Sequence, residues 1–299
     1  MEIVEFRYPN IPENKEDITI CLGFFDGIHL GHQTIFKKAQ KEGYKVAVLT
    51  FDNTPAFVVG KINENMCLTS IADKAEYLSE LNVDILYLMH FDLTAATLTK
   101  DQFIDEILKP LNPKKIFCGE DYRFGARGEG DTNYLSLFFP VEVVPIQKMD
   151  GVKISSRDIK FLIQNHKISK ANELLGRPYR INGLVVDGQH RGKSINFPTA
   201  NLKLDYPYVF PDYGVYMGYA EVYGRKYKAI INVGTHPTVI PLYKPIIEVH
   251  IIDFEGNIYG KDIFVEFIDY IRSEKKFESM EDLRQQLEKD KEKAKNTLK

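Results

Sequence analysis

Between residues 18 and 146, short apolar runs alternate with stretches of helical spacing. Ile18 to Phe24 carries Ile18, Ile20, Cys21, Leu22 and Phe24 and reads as a strand covered on both faces. A turn at Asp26-Gly27 follows, and from about Gly31 a helix places Ile35, Phe36 and Ala39 on one side. Val46 to Phe51 reads as a strand, Ser70 to Leu81 as a helix and Val83 to Phe91 as a strand. Thr99 to Lys109 is a helix, opened by the capping spacing of Thr99 and Gln102 and closed by Pro110. Lys115 to Cys118 and Val141 to Ile146 add two short strands. This alternation predicts a parallel sheet with helices on both faces.

Phe161 to Leu175 reads as a helical connector broken near Gln164-Asn165-His166, and Gly176-Arg177-Pro178 punctuates the chain. From Tyr179 the pattern changes. Arg180 to Asp187, Gly214 to Tyr223, Lys226 to Val233, Ile246 to Phe254 and Asp262 to Tyr270 read as closely spaced strands. Gly224-Arg225 reads as a two-residue, glycine-first hairpin turn. Strands with few helices between them predict a small antiparallel barrel. The chain ends in a helix from about Ser279, with Ser279 and Asp282 at capping spacing and a thin stripe of Met280, Leu283 and Leu287. The charged tail beyond that stripe reads as a solvated face. Two domains are expected, 1–178 and 179–299.

Composition narrows the function. The 299 residues are 44% hydrophobic and 27% charged, enough to build two cores. A net charge of -3 gives no general attraction for nucleic acid or an anionic membrane, so neither is expected as a partner. Anionic substrates would need local donors and a metal ion. No apolar run approaches the roughly 20 residues of a membrane span. The start, MEIVEFRYPN, lacks the basic and apolar regions of a secretory signal. Cys21, Cys67 and Cys118 are an odd count without metal-ligand spacing, and read as reduced core thiols of a cytoplasmic protein.

The chemistry gathers in a few segments. Strand, glycine turn and helix aim backbone N–H groups at an anion. His29 and His32 stand at that helix start with Gly31 between them, where both imidazoles can reach one phosphate. The same pair could also be a solvated turn. No G-x-G-x-x-G follows a strand, which disfavours a nicotinamide-type fold. Gly119 to Asp131, GEDYRFGARGEGD, is too glycine-rich and charged to be expected to pack. In ISSRDIK, Ser155 and Ser156 are both helix caps and phosphate donors. In RGKSINFPTANL, Thr199 and Asn201 offer a hydroxyl and an amide oxygen two residues apart, suited to Mg2+ carried by a nucleotide or to ordinary turn chemistry. In IIEVHIIDF, alternation puts Ile247, Val249 and Ile251 on one face, Glu248 and His250 on the other.

GFFDGIHLGH resembles the signature of H-x-G-H nucleotidyltransferases and, with F-D-G ahead of the histidines, looks like the bacterial FAD synthetases. The resemblance implies a Rossmann-like nucleotidyltransferase domain with a parallel sheet, then a small antiparallel barrel with riboflavin kinase activity and a C-terminal helix. It implies substrates riboflavin, FMN and ATP, FAD as product, and Mg2+, in a monomer or weak homo-oligomer. It implies catalytic roles for His29 and His32, and ATP-phosphate contacts from Gly23, Phe25, Asp26, Gly27, Gly31, Ser155, Ser156, Arg157 and Lys160. Gly119, Asp121, Phe124 and Gly125 match the flavin and nucleotide loop, with Tyr122 in place of the usual Phe. In the barrel, Gly192, Lys193, Pro198, Thr199, Asn201 and Arg272 match ATP and flavin positions. Thr199 and Asn201 match the metal ligands, and Glu248 matches the proposed base. Three departures stand out: Arg157 and Lys160 alter I-S-S-T/S-x-x-R, Thr50 to Pro55 lacks the histidine of T-F-x-P-H-P, and Asn196 replaces a glycine. A kinase with a weak first domain, or a flavin-binding regulator, are the alternatives.

Overall fold

A computed structural model describes residues 1–187, 197–234 and 245–299. Tertiary contacts divide the chain into two compact units, Met1–Ser156 and Arg157–Lys299. The connector helices fall in the second unit. Asn172 explains why, since its amide donates to the Phe267 carbonyl (2.8 Å) and its oxygen accepts from the Tyr179 N–H (2.7 Å), tying the helix Ile168–Leu175 to barrel strands. The division at 156/157 therefore precedes the 178/179 boundary expected from chain punctuation.

The first unit holds six parallel strands: β1 (Glu2–Phe6), β2 (Ile18–Leu22), β3 (Lys45–Phe51), β4 (Ile85–Met89), β5 (Lys115–Gly119) and β6 (Val141–Val144). Their spatial order is β1-β4-β3-β2-β5-β6. Every residue of β2 is buried, as its unbroken apolar run predicts. Ile18, Ile20 and Leu22 enter one core and Cys21 the opposite one, so helices cover both faces. All three cysteines are buried free thiols, and burial pushes Cys118 up to about 12.

β1 carries no strand signal beyond five residues of mixed burial, and sequence reading passes over it. Its pairing with β4 along the sheet edge forms it. Pro110 does not close its helix. The turn Lys100–Gln102 widens into a π-helical stretch Phe103–Leu108 and continues through Lys109–Leu111, ending at left-handed Asn112. The Lys109 N–H reaches back to the Ile104 carbonyl, and this wider winding accommodates the proline ring. The glycine-rich loop is also packed. Phe124 is buried against Phe103 and Tyr122, because an aromatic at its middle outweighs the flanking charges. A short hairpin, β7 (Lys148–Met149) and β8 (Val152–Lys153), closes the unit.

The second unit begins with the helices Ser156–Ile163 and Ile168–Leu175, broken at His166 and ended by left-handed Gly176, as the sequence predicts. A closed six-stranded barrel follows: β9 (Tyr179–Val186), β10 (Ala200–Lys203), β11 (Gly214–Val222), β12 (Arg225–Gly234), β13 (Ile246–Ile251) and β14 (Asp262–Arg272), in the order β10-β13-β12-β11-β14-β9. β10 is an addition, because its four residues ANLK are too short to signal a strand by themselves. The β11–β12 turn is Tyr223-Gly224, both with positive φ, and Val222 pairs with Arg225. It is therefore the type with two left-handed residues, one step before the expected glycine-first turn.

The C-terminal helix, Met280–Thr297, is capped by Ser279 as predicted. Its packing is displaced toward its end. Met280 is half-exposed, whereas Asp290, Ala294 and Leu298 are buried, the last two against Val215, Met217 and Ile230. The supposed solvated tail is thus what docks, because Asp290, Ala294 and Leu298 recur every four residues.

Candidate functional sites

In the first unit the chain runs β2-β3-β4 to one side of β2 and resumes with β5-β6 on the other. Ligands in such sheets bind beyond the strand ends at this reversal. A cavity of about 180 Å³ lies there, lined among others by His29, Gly31, His32, Gly119, Asp121, Lys153, Ser155 and Ser156. Residues drawn from three separate sequence motifs thus share one pocket.

His29 is the N-cap of the helix Leu30–Ala39, and its Nδ1 accepts from the His32 N–H at 3.3 Å. An accepting Nδ1 leaves the ring proton on Nε2, a donor suited to a phosphate oxygen. The two imidazoles stack with centroids 3.5 Å apart, and His32 packs perpendicular to the Phe25 ring. A Cβ on Gly31 would lie 3.1 Å from the His29 ring, so glycine permits this stack. Gly23 serves similarly, since a Cβ there would fall 2.9 Å from the Phe25 ring.

The turn between strand and helix is conformationally costly. Phe25, Gly27 and Ile28 all have positive φ (52°, 81° and 42°), and two of them carry side chains. Phe25 and Asp26 support this turn from within. The Phe25 ring packs on Phe36, and the Asp26 carboxylate accepts from the Leu68 N–H at 2.7 Å. The Gly27 N–H donates to Thr69 Oγ1 (3.3 Å), and Ser156 Oγ donates to the Asp26 carbonyl (2.8 Å). Asp121 pairs with Lys153 at 2.9 Å. Lys153 escaped sequence reading, though a basic residue two positions before the paired serines is a usable signal. Phe124 lies in the core, and Gly125, with φ 73°, is held against the Lys100 backbone, where a Cβ would approach to 2.7 Å. Arg157 is exposed and Lys160 half-buried on the helix Ser156–Ile163. His90 faces Asp52 at the ends of β4 and β3, beside the segment that lacks the expected histidine.

In the second unit, strand register assembles the site. Asn201 on β10 lies opposite Glu248 on β13, which lies opposite Asn232 on β12. Directly paired residues share a face, so an amide, a carboxylate and a second amide form a line across three strands. Thr199 precedes β10 and is half-buried, and Pro198 is exposed. The Pro198 carbonyl contacts His250 Nδ1 at 2.9 Å, and the His250 ring lies against Phe197. Burial pushes the His250 pKa below its ordinary value, so the ring acts as a neutral donor to that carbonyl. Glu274 approaches the same line, lying within 2.4 Å of where a Cβ on Gly234 would be. Burial, then neighbouring Glu248, push the Glu274 carboxyl up. Sequence reading gives Asn232 and Glu274 no role, and strand register and packing place them here.

Arg272 ties the end of β14 to the C-terminal helix. Its Nε and Nη2 donate to Asp290 at 2.8 to 3.2 Å, and Nη1 donates to the Ser273 carbonyl. Gly192, Lys193 and Asn196 lie outside the described residues.

A strained turn with paired histidines at the reversal of a parallel sheet, followed by a barrel with aligned polar side chains, fits a two-domain nucleotide-dependent transferase. The FAD synthetase family pattern matches residues 11–158 and the riboflavin kinase family pattern residues 175–298. The chain belongs to the bifunctional riboflavin kinase/FMN adenylyltransferase family. Relatives of that name from Listeria monocytogenes and Bacillus subtilis are each 36% identical, covering 97% and 98% of this chain and 96% and 97% of their own. The Escherichia coli relative is 35% identical over 92% of this chain and 91% of its own. A crystal structure described as a macrolide-efflux protein from Streptococcus pneumoniae shares the fold, with TM-score 0.92, 32% identity and 99% of both chains covered. Among the described residues, no helix is long and apolar enough to cross a membrane.

Proposed function

We propose that the second unit transfers the γ-phosphate of ATP to the ribityl 5′-hydroxyl of riboflavin, giving FMN, and that the first joins FMN to the AMP portion of a second ATP, giving FAD and pyrophosphate. By sequence, the adenylyl transfer falls to residues 1–178, the first unit together with the connector helices, and the phosphorylation to 179–299, the barrel and its C-terminal helix. What supports this division is the clustering of His29, His32, Ser155 and Ser156 around one cavity, and the alignment of Asn201 with Glu248 in the other unit.

In the barrel, a primary alcohol needs a base, and Glu248 takes its proton as the oxygen attacks the γ-phosphorus. Thr199 and Asn201 offer neutral oxygens, a donor set that suits an Mg2+ ion whose other ligands are ATP phosphates rather than an all-protein cage. Bound there, Mg2+ would neutralise charge on the phosphates. In the first unit no base is required, because the FMN phosphate is already anionic, its second ionisation lying near about 6. That phosphate attacks the α-phosphorus, while His29, His32, the paired serines and Lys153 hold and neutralise the departing pyrophosphate. Three buried free thiols support a reducing compartment, the cytoplasm.

Chromatography of riboflavin, ATP and Mg2+ incubated with the protein tests the reading. FAD is the expected product; FMN alone would mark a kinase with an inactive first unit, and unchanged riboflavin would remove both activities. His29→Ala is expected to lower FAD formation about 100- to 1,000-fold while FMN accumulates. Glu248→Ala is expected to lower FMN formation about 100- to 10,000-fold and leave FAD formation from supplied FMN intact.

A further inference from the structure

Beneath the strained turn lies a charge that the two reactions, as derived above, do not use. Lys74, on the inner face of the helix Ile71–Glu80, is 3% exposed. An ammonium group is rarely so buried, because desolvation costs several kcal/mol unless its protons find acceptors. Its Nζ donates to the Phe24 carbonyl at 2.8 Å and to Thr50 Oγ1 at 3.2 Å, and it lies 4.5 Å from the centroid of the Phe24 ring. Thr50 Oγ1 donates to the same carbonyl at 2.8 Å. Two donors from different elements thus converge on the last carbonyl before the left-handed residue Phe25.

The same short segment of chain grips the turn at two further points. The Leu68 N–H holds the Asp26 carboxylate, and Thr69 Oγ1 holds the Gly27 N–H. A backbone that spends three of four residues at positive φ persists only where its surroundings over-determine it. Leu68, Thr69 and Lys74 supply that determination from one side of the turn, with the charge at its base.

We propose that Lys74 is a positioning residue for adenylyl transfer: by fixing the Phe24 carbonyl it holds Phe25 to Ile28 in the shape that presents His29 and His32 to the phosphates of ATP. This rests on the adenylyl-transfer reading of the first unit. Lys74 is not among the residues that line the cavity, and it acts through the turn.

The test compares the two steps within one protein. Lys74→Met keeps the unbranched apolar stem of the side chain, one atom shorter, and removes its donors. FAD formation from FMN and ATP is expected to fall at least about tenfold in kcat, with a smaller change in KM for ATP, since misplaced groups at the reacting centre lose transition-state stabilisation first. FMN formation from riboflavin is expected within about twofold of wild type, and the thermal midpoint of the first unit should not fall, because a desolvated charge has been removed. Thr50→Val, which removes the second donor with little change in volume, should lower the same step by a smaller factor and combine with Lys74→Met less than multiplicatively, as expected of two groups sharing one acceptor. Undiminished FAD formation in folded Lys74→Met would overturn the proposal, as would a loss of FAD formation that merely tracks a lowered thermal midpoint. If Lys74→Met does not fold, unchanged FAD formation by Thr50→Val overturns it instead. Wild-type protein making no FAD would overturn the underlying reading of the first unit, a result distinguishable from either.

Discussion

At the scale of single residues, the first unit invests in one irregular turn. Gly23 lies against the Phe25 ring, which packs perpendicular to His32, which stacks on His29. Gly23→Ala would place a Cβ at 2.9 Å from that ring and force it to move. The expected cost is about 1–3 kcal/mol of stability, with FAD formation reduced and FMN formation spared, read by thermal unfolding and by separate assays of the two steps. Lys74 adds a pH signature. Burial pulls its pKa from 10.5 down to about 8, opposed by the negative charge of the Asp26 and Asp52 carboxylates. Between those values the unfolded chain holds a proton that the folded chain does not, so the folded state gains as pH rises through that window. The charged group costs roughly 3 kcal/mol below it. The unfolding free energy of Lys74→Met relative to wild type should therefore be most favourable near pH 7 and should decline by about that amount toward pH 10.5, as measured by denaturant titration. The histidines and glycines of this turn were legible from their spacing after an apolar run. Lys74 was not, because in the helix Ile71–Glu80 it looks like any other lysine, and only tertiary packing buries it.

At the scale of elements, hydrophobic periodicity succeeded where a segment owes its form to its own residues. β2, the helix Ile71–Glu80 with its Ser70–Asp73 capping box, and the broken connector all follow from local pattern. It failed where a partner decides. β1 and β10 are strands because a neighbour pairs with them, and β10 brings Asn201 opposite Glu248, which no spacing argument in a stretch of loop chemistry could foresee. The C-terminal helix shows the same limit. Its charged tail looks solvated until Arg272 is seen to face Asp290, with the two side chains 13% and 3% exposed. That pairing gives Arg272 a structural role, since its guanidinium holds the helix to the end of β14. Asp290→Ala leaves a mostly buried guanidinium uncompensated and is expected to destabilise the second unit by about 3 kcal/mol. Calorimetry should show this as a lowered transition for the barrel with the first unit's transition unmoved. FMN formation should then fall at a lower temperature than in wild type.

At the scale of the whole molecule, each unit has its own core and its own candidate site for ATP. The chemistry links them only through FMN, the product of one and the substrate of the other. Nothing in either reaction requires the two sites to be in the same copy of the chain, because the FMN phosphate that attacks in the first unit is fully formed when it leaves the barrel. It follows that two defective proteins should complement one another. His29→Ala retains the barrel's chemistry and Glu248→Ala retains that of the sheet, so neither alone should convert riboflavin to FAD, yet an equimolar mixture should. The rate in the mixture should depend on the concentration of FMN accumulated in solution, with a lag that shortens as total protein is raised. Added FMN should abolish the lag. Full activity in the mixture without a lag would show that FMN passes directly between copies, and no activity at all would show that both substitutions damage a common site, contradicting the assignment of one reaction to each unit.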